Sequence, residues 1–310
     1  MNILVTGGAG YVGSTLVREL LARGDNVRVF DNLAFGVDPL LPCFRFNRFE
    51  LVKGDIRDGH ALKEAVKGMD AIVHLAAIVG YPACDRSPEQ AEAVNLKGTE
   101  LLDLVRGDRP VVFASTGSVY GKLETMCDED STPNPLTTYG RTKLAAERVL
   151  LKGGNAAVYR FATAFGLSPR MRLDLLPNTF TYEAVKNRSL VVYEGHFRRT
   201  FIHVSDMARA FIHALEHFET MQGQVYNCGS NGLNATKREL AEMVARHVEG
   251  FQPHYIENGH DPDARDYEVN YGRLNGTGFQ VQVGLEEGIC EMVRAFQHLR
   301  VPNPYSNVGA

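Results

Sequence analysis

Short runs of β-branched and aliphatic residues alternate, through the first half of the chain, with longer stretches whose apolar positions recur every three or four residues. That alternation predicts a parallel sheet covered by helices. The runs predict strands over residues 2–6, 26–31, 50–54, 71–75, 110–115 and 157–161, and the periodic stretches predict helices over 13–22, 62–67, 88–105 and 139–151. Six such units fit a doubly wound α/β sheet. Beyond Gly166 the alternation fails: a segment rich in Arg, Leu and Pro (168–178) leads into a helix over 179–186. Residues 200–216 then read as a strand and helix returning to the first domain, 224–227 as one further strand, and 236–248 as another helix. The expected organisation is a sheet domain of 1–167 and 200–228 beside a smaller lobe, split in sequence, of 168–199 and 229–310. The tail from Pro302 shows little periodicity and is expected to lack regular structure.

A chain of 310 residues is long enough for two domains or for one large α/β unit with an added lobe. With 44% hydrophobic and 23% charged residues it has ordinary globular composition, which excludes disorder, collagen and coiled coil. A formal net charge of −4 gives no basic bias for nucleic acid, so no nucleic-acid partner is expected. The longest apolar stretches fall short of the roughly 20 residues that cross a bilayer, so no membrane span is expected. The five cysteines form no CxxC pair and are far apart, which argues against a disulfide framework or zinc and for a reducing compartment. No leader is recognised ahead of Asn2-Ile3-Leu4-Val5, and a cytoplasmic location is expected.

The stretch Thr6-Gly7-Gly8-Ala9-Gly10-Tyr11-Val12-Gly13 places Gly7, Gly10 and Gly13 at three-residue intervals between the first strand and the first helix. Glycines there let the backbone turn sharply and approach a pyrophosphate, while the helix start offers free N–H groups and the positive end of its dipole. The alternative is a glycine-rich turn without a ligand. Asp31 ends the second strand, 18 residues beyond Gly13, where a carboxylate accepts hydrogen bonds from an adenosine ribose and repels a ribose phosphate. That favours NAD over NADP; the other reading of Asp31 is a cap on the next turn.

Tyr139 and Lys143 are four apart and share a helix face. A phenol is a poor base at neutral pH, and an adjacent ammonium favours its phenolate. A hydroxyl from Ser115 or Thr116, at the end of the fifth strand, can reach the same substrate oxygen.

Together with Asp31, Gly54-Asp55-Ile56, His74-Leu75-Ala76-Ala77, Asn95, Ser115-Thr116-Gly117-Ser118-Val119-Tyr120-Gly121 and Tyr139-Gly140-Arg141-Thr142-Lys143, the glycine loop resembles the extended short-chain dehydrogenase/reductases. The resemblance implies a Rossmann-type doubly wound parallel sheet with a smaller, sequence-split C-terminal substrate lobe. It implies that Tyr139 is the general base, that Lys143 holds the nicotinamide ribose and depresses the tyrosine pKa, and that Thr116 binds the sugar hydroxyl being oxidised. The implied cofactor set is Gly7, Gly10, Tyr11, Val12, Gly13, Asp31, Asn32, Asp55, Ile56, Leu75, Ala76, Ala77, Asn95, Ser115, Tyr139 and Lys143, with Asp55 and Ile56 at the adenine. The implied substrate is a nucleotide-diphosphate sugar and the implied assembly a homodimer.

In the second half, Ser168-Pro169-Arg170-Met171-Arg172-Leu173-Asp174, Arg198-Arg199-Thr200 and Asp261-Pro262-Asp263-Ala264-Arg265 look like the subgroup that contains the GDP-heptose 4-dehydrogenases of bacterial capsule pathways. By that likeness Arg199 holds the substrate pyrophosphate, Arg265 is a second phosphate contact, and Ser118 and Asn178 complete the substrate contacts. Two guanidinium groups suit a diphosphate because each bonds bidentately; the other reading of either arginine is a surface ion pair. Two departures matter. The 4,6-dehydratases of the family carry an Asp-Glu pair where this chain has Gly117-Ser118, which disfavours water loss. Many 4-epimerases carry Asn where this chain reads Arg160-Phe161-Ala162-Thr163, which weakens that alternative without excluding it. A non-catalytic NAD sensor is a further rival, disfavoured because Thr116, Tyr139 and Lys143 are all present. His74, His203 and Cys84 are expected to serve packing, and no metal site is expected.

Overall fold

The computed structural model describes residues 1–121, 126–256 and 268–300. In chain order its strands are β1 (Asn2–Thr6), β2 (Asn26–Asp31), β3 (Phe49–Lys53), β4 (Ala71–His74), β5 (Val111–Thr116), β6 (Ala156–Phe161), β7 (Thr163–Phe165), β8 (Ser189–Tyr193), β9 (Arg198–His203), β10 (Val225–Cys228), β11 (Asn234–Thr236) and β12 (Gln252–Ile256). Seven of them form one parallel sheet in the order β3-β2-β1-β4-β5-β6-β10. Val5 pairs with Val29 on one side and Val73 on the other, so β1 lies at the centre. The chain builds outward from β1 to β3, then crosses back to β4 and builds the other way. Such a reversal opens a crevice at the carboxyl ends of the two middle strands, where ligands of doubly wound sheets bind.

The period of two along a strand divides the core. Ile3 and Val5 face the helices Tyr11–Arg23 and Val204–Glu216, with Leu16, Leu20, Phe211 and Ala214 packed on them. Leu4 faces the other way, into a cluster with Phe30, Ile72 and Phe113 that is closed by Leu62, Leu102 and Leu150 of the helices Gly59–Val66, Gly98–Arg106 and Thr138–Gly153. A further cluster around Phe180, Val192, Phe201, Leu240, Ile289 and Phe296 joins the helices Leu176–Asn187, Lys237–His247 and Leu285–Phe296. Among the described residues no helix is long and apolar enough to cross a membrane.

The helices Tyr81–Arg86 and Leu285–Phe296 lie outside the elements that the sequence pattern predicts, and three further departures stand out. The helix expected over 88–105 is three pieces: Pro88–Glu92, a π-helical turn Ala93–Lys97, and Gly98–Arg106. The wider turn carries Asn95 inward, where its carboxamide accepts from the Ile78 N–H at 2.8 Å and donates to the Ile78 carbonyl at 2.9 Å; apolar spacing does not register such a single-residue expansion. The strand expected from residue 200 begins at Arg198 and pairs with β7 and β11, outside the main sheet, while the helix after it does return to pack on Tyr11–Arg23. The strands β7, β8, β11 and β12 were not anticipated, since each has three to five residues and β8 pairs with β12, Ser189 opposite Gln252, far along the chain. The tail from Pro302 lies outside the described residues.

Candidate active site

The loop after β1 is shaped by contacts that only glycine permits. Gly7 adopts φ +73°, and a Cβ there would stand 2.7 Å from the Ala76 nitrogen; a Cβ on Gly13 would stand 2.4 Å from the Gly7 carbonyl oxygen. The loop therefore folds flat onto the end of β4 and lets the helix Tyr11–Arg23 start directly at the crevice. Gly10 caps that helix without a side-chain partner for its first amides, as a phosphate-binding helix start requires. Asp31 serves both roles read from the sequence. One carboxylate oxygen accepts from the Leu33 N–H (2.8 Å), capping the turn, and the other from the Ala9 N–H (2.9 Å), while the group lines the cleft. Burial raises its pKa, and the two amides oppose that rise. A dinucleotide fits these residues: uncapped helix amides for the pyrophosphate and a partly solvated carboxylate for the ribose.

The chemical groups stand across the crevice. Thr137 caps the helix Thr138–Gly153 by accepting from the Gly140 N–H at 3.1 Å, which sets Tyr139 in the first turn and Lys143 one turn further on. Thr116 ends β5, and its hydroxyl oxygen accepts from the Ser118 N–H at 3.1 Å, so the hydroxyl is fixed at the strand tip. All three line one cleft of about 560 Å³ together with the glycine loop. Lys143 is 2% exposed, with Nζ 3.9 Å from the centre of the Phe113 ring. Burial lowers its pKa to about 7, and the Glu147 carboxylate pulls the other way. His74, as expected, is a packed histidine: its ring nitrogens bond Thr6 at 2.7 Å and Thr99 at 3.0 Å, and burial, followed by Lys143, lowers its pKa to about 3. His203 accepts from the Ser205 N–H and meets Glu291, and Cys84 is a buried thiol pushed up to about 11 by burial.

Behind this wall lies a buried ionic network that the sequence reading missed. Glu147, 1% exposed, accepts from the Ser115 hydroxyl and receives Arg160 through both Nε (3.2 Å) and Nη2 (2.8 Å). Arg160 also donates to the Tyr120 hydroxyl at 3.0 Å, which donates to Asn227 at 2.6 Å. The available signal was position: Glu147 is four residues after Lys143 and so shares its helix face. Because Ser115 donates to Glu147, its hydroxyl is engaged inside the wall although the residue lines the cleft.

The opposite wall is basic. Arg170, Arg172 and Arg199 line it, Arg199 from β9 at 5% exposure. Arg172 is paired with Asp174 at 2.5 Å. Among the described residues, Asp31 and Asp174 are the only carboxylates that line the cleft.

Of the sequence-derived residues, Gly7, Gly10, Tyr11, Val12 and Gly13 line the cleft, as do Asp31, Leu75, Ala76, Ala77 and Ser118. Five do not. Asn32 accepts from the Ala34 N–H in the turn, Asp55 is held by Arg57, and Ile56 is buried in the core. Asn95 ties the Ile78 backbone to Thr142 on the Tyr139 helix. Asn178 is wholly buried, its carboxamide spent on the Gly166 N–H, the Tyr11 hydroxyl and the Arg172 carbonyl. Arg265 lies outside the described residues.

A family model described as "NAD dependent epimerase/dehydratase family" matches residues 3–229. The chain is 32% identical to a dTDP-glucose 4,6-dehydratase of Streptomyces niveus, over 97% of this chain and 94% of that one. It is 28% identical to a putative UDP-glucose 4-epimerase of Methanocaldococcus jannaschii, over 94% and 97%. Among solved structures, a dTDP-glucose 4,6-dehydratase of Streptomyces venezuelae with NAD bound superposes with a TM-score of 0.83 at 29% identity, covering 95% and 96% of the two chains. A UDP-glucose 4-epimerase of Thermotoga maritima with UDP-glucose gives 0.83 at 25% identity, covering 96% and 98%.

Proposed function

This chain belongs to the NAD-dependent epimerase/dehydratase family, and on that premise we propose that it oxidises C4 of a nucleotide-diphosphate sugar, with Tyr139 as base. It is an NAD-dependent enzyme of the extended short-chain dehydrogenase/reductase type. One observation carries the finer reading: Thr116, Tyr139 and Lys143 converge on the cleft that the glycine loop and Asp31 open. Bound NAD supplies the hydride acceptor. The chain's own residues do the rest. The Thr116 hydroxyl bonds the C4 oxygen, and the Tyr139 phenolate, stabilised by the Lys143 ammonium, takes the C4 hydroxyl proton and becomes the neutral phenol. Holding base, donor carbon and acceptor together removes much of the entropic barrier. Arg199, with Arg265, receives the diphosphate, and the segments 168–199 and 229–310 hold the nucleotide sugar.

We take GDP-heptose, oxidised in a net reaction, as the first substrate to try, on the likeness of the Arg170-Met171-Arg172 and Arg198-Arg199-Thr200 segments. A 4-epimerase that takes its hydride back is the second reading, favoured by the similarity to 4-epimerases. Water elimination is disfavoured in spite of the dehydratase relative: Gly117 and Ser118 offer no acid-base pair, and among the described residues the carboxylates lining the cleft are Asp31, at the dinucleotide end, and Asp174, paired with Arg172. The test is incubation with GDP-, UDP-, dTDP- and CDP-sugars, GDP-heptose included, reading reduced-nicotinamide absorbance and the C4 signal by NMR. Lasting absorbance with a 4-keto product supports the net dehydrogenase; an inverted C4 without lasting absorbance supports the epimerase. No change at C4 with any of them overturns both.

A further inference from the structure

We propose that the Arg172–Asp174 pair determines which sugar the cleft accepts: it selects a neutral sugar with a hydroxyl on its exocyclic arm, against sugars that carry a carboxylate or a methyl group there. The inference rests on the reading above that a nucleotide sugar fills the cleft, and it names the class of that sugar.

The pair stands on fixed backbone. The Arg172 carbonyl accepts from the wholly buried Asn178 carboxamide at 2.8 Å, and the Thr179 hydroxyl donates to the Leu173 carbonyl at 2.5 Å. The chain through residues 172–174 is thereby tied to the first turn of the helix Leu176–Asn187, and Leu173 is packed into the cluster around Phe180. From there the Arg172 guanidinium bonds Asp174 side-on, Nε to Oδ1 at 3.2 Å and Nη2 to Oδ2 at 2.5 Å. Both side chains line the cleft, and neither is more than 12% exposed. Among the described residues Nη1 has no hydrogen-bond partner, so its two N–H groups remain for what fills the cleft.

The place that the pair faces adjoins the base. Nη2 lies 3.7 Å from where a Cβ on Gly80 would stand, so Arg172 reaches from the second wall to the first. Gly80 leads into the helix Tyr81–Arg86, whose Asp85 accepts from the Thr138 N–H at 3.3 Å, at the start of the helix that bears Tyr139. A pyranose whose C1 carries the diphosphate and whose C4 meets the base has these two atoms at opposite ends of the ring. The arm on C5 then lies next to C4, and there a hydroxyl, a carboxylate or a methyl group changes the charge and the bonding of the sugar.

Charge decides among those arms. Asp174 cancels Arg172, so a carboxylate that reaches Nη1 also meets a like charge and gives up its hydration for little net attraction. A hydroxyl suits both halves, accepting from Nη1 and donating to a remaining lone pair of Asp174. A methyl group would cover the pair and bond neither half, leaving polar groups dry and unsatisfied.

The experiment measures Kd by calorimetry on the full chain loaded with reduced NAD, which cannot accept a hydride. The ligands are UDP-glucose, UDP-6-deoxyglucose and UDP-glucuronate, the corresponding GDP-linked hexose, 6-deoxyhexose and hexuronate, and UDP and GDP alone. Within the series that binds, the unsubstituted chain should hold the hexose about 10- to 100-fold more tightly than either analogue. Asp174→Asn leaves the guanidinium charge uncancelled and should raise the uronate about 10-fold relative to the hexose. Arg172→Gln should bring the three sugars within about threefold of one another, and neither variant should change the binding of UDP or GDP. The proposal is overturned by an unsubstituted chain that prefers the uronate or does not discriminate, or by an unchanged uronate-to-hexose ratio in Asp174→Asn. It is equally overturned by an Arg172→Gln loss as large for UDP or GDP alone as for the sugars, which assigns Arg172 to the diphosphate or to structure. Should Arg172→Gln fail to fold, the near-isosteric Asp174→Asn decides by its ratio. If no nucleotide sugar binds, the reading of the cleft as a nucleotide-sugar site falls and this inference with it, whereas binding without discrimination removes this inference alone.

Discussion

On one wall of the cleft, Thr116, Tyr139 and Lys143 stand on a strand tip and on the first turns of one helix, backed by the buried Glu147–Arg160 pair and by Asn95. On the other, Arg170 and Arg172 come from chain between β7 and the next helix, and Arg199 from a strand of the small sheet. The difference follows from the work each wall does. Proton transfer demands placement to a fraction of an ångström, so its groups sit on rigid elements with a second layer behind them. Holding a diphosphate relies on charge, whose attraction falls off gradually with distance, and irregular chain suffices.

Removing the base tests the first wall most severely. Tyr139→Phe is expected to lower the rate of hydride transfer by about 10³-fold while NAD still binds, measured by single-turnover absorbance; near-normal turnover would take the chemistry away from this wall. Glu147→Gln leaves the Arg160 guanidinium, 5% exposed, buried without its carboxylate. Unfolding free energy should fall by about 3–5 kcal/mol in urea titrations, and a fall below about 1 kcal/mol would mean that the wall stands without its ionic backing.

Gly7→Ala forces a Cβ to within 2.7 Å of the Ala76 nitrogen at φ +73°. A cost of about 1–3 kcal/mol is expected, with weaker NAD binding. Unaltered thermal midpoint and affinity would show that the loop has room the geometry denies.

The remaining effect is a slope. The folded pKa of Lys143 is depressed to about 7 from an ordinary 10.5, so between those values the unfolded chain binds more protons. Stability of the NAD-free protein should therefore rise with pH across that window, and Lys143→Met should flatten the rise. An equally steep rise in the variant would sink the assignment of this buried ammonium as its source.

Legibility followed the same division. The strands β1 and β2 and the Tyr139–Lys143 pair could be read from local spacing, because a central parallel strand is a short apolar run and a helix face repeats every three or four residues. The network around Glu147 escaped, since a lone glutamate on a helix reads as a solvated face until β5 and β6 close over it. The resemblance in the second half makes Asn178 a substrate contact, whereas folding surrounds it with Tyr11, Gly166 and Arg172.

What the sequence determined by itself was the doubly wound sheet, the glycine loop with its acidic strand end, and the spacing of base and lysine. Each is local: a strand, a turn or one helical turn, where neighbours along the chain are neighbours in space. Only the tertiary structure decided which arginines line the cleft, that Ser115 bonds a buried carboxylate, and that Arg170 stacks on Phe35 beside the start of the first helix. Those contacts join residues up to 135 positions apart, the separation of Phe35 and Arg170 in the numbering. No periodicity encodes such a distance, and it is set only when packing closes the second lobe on the first.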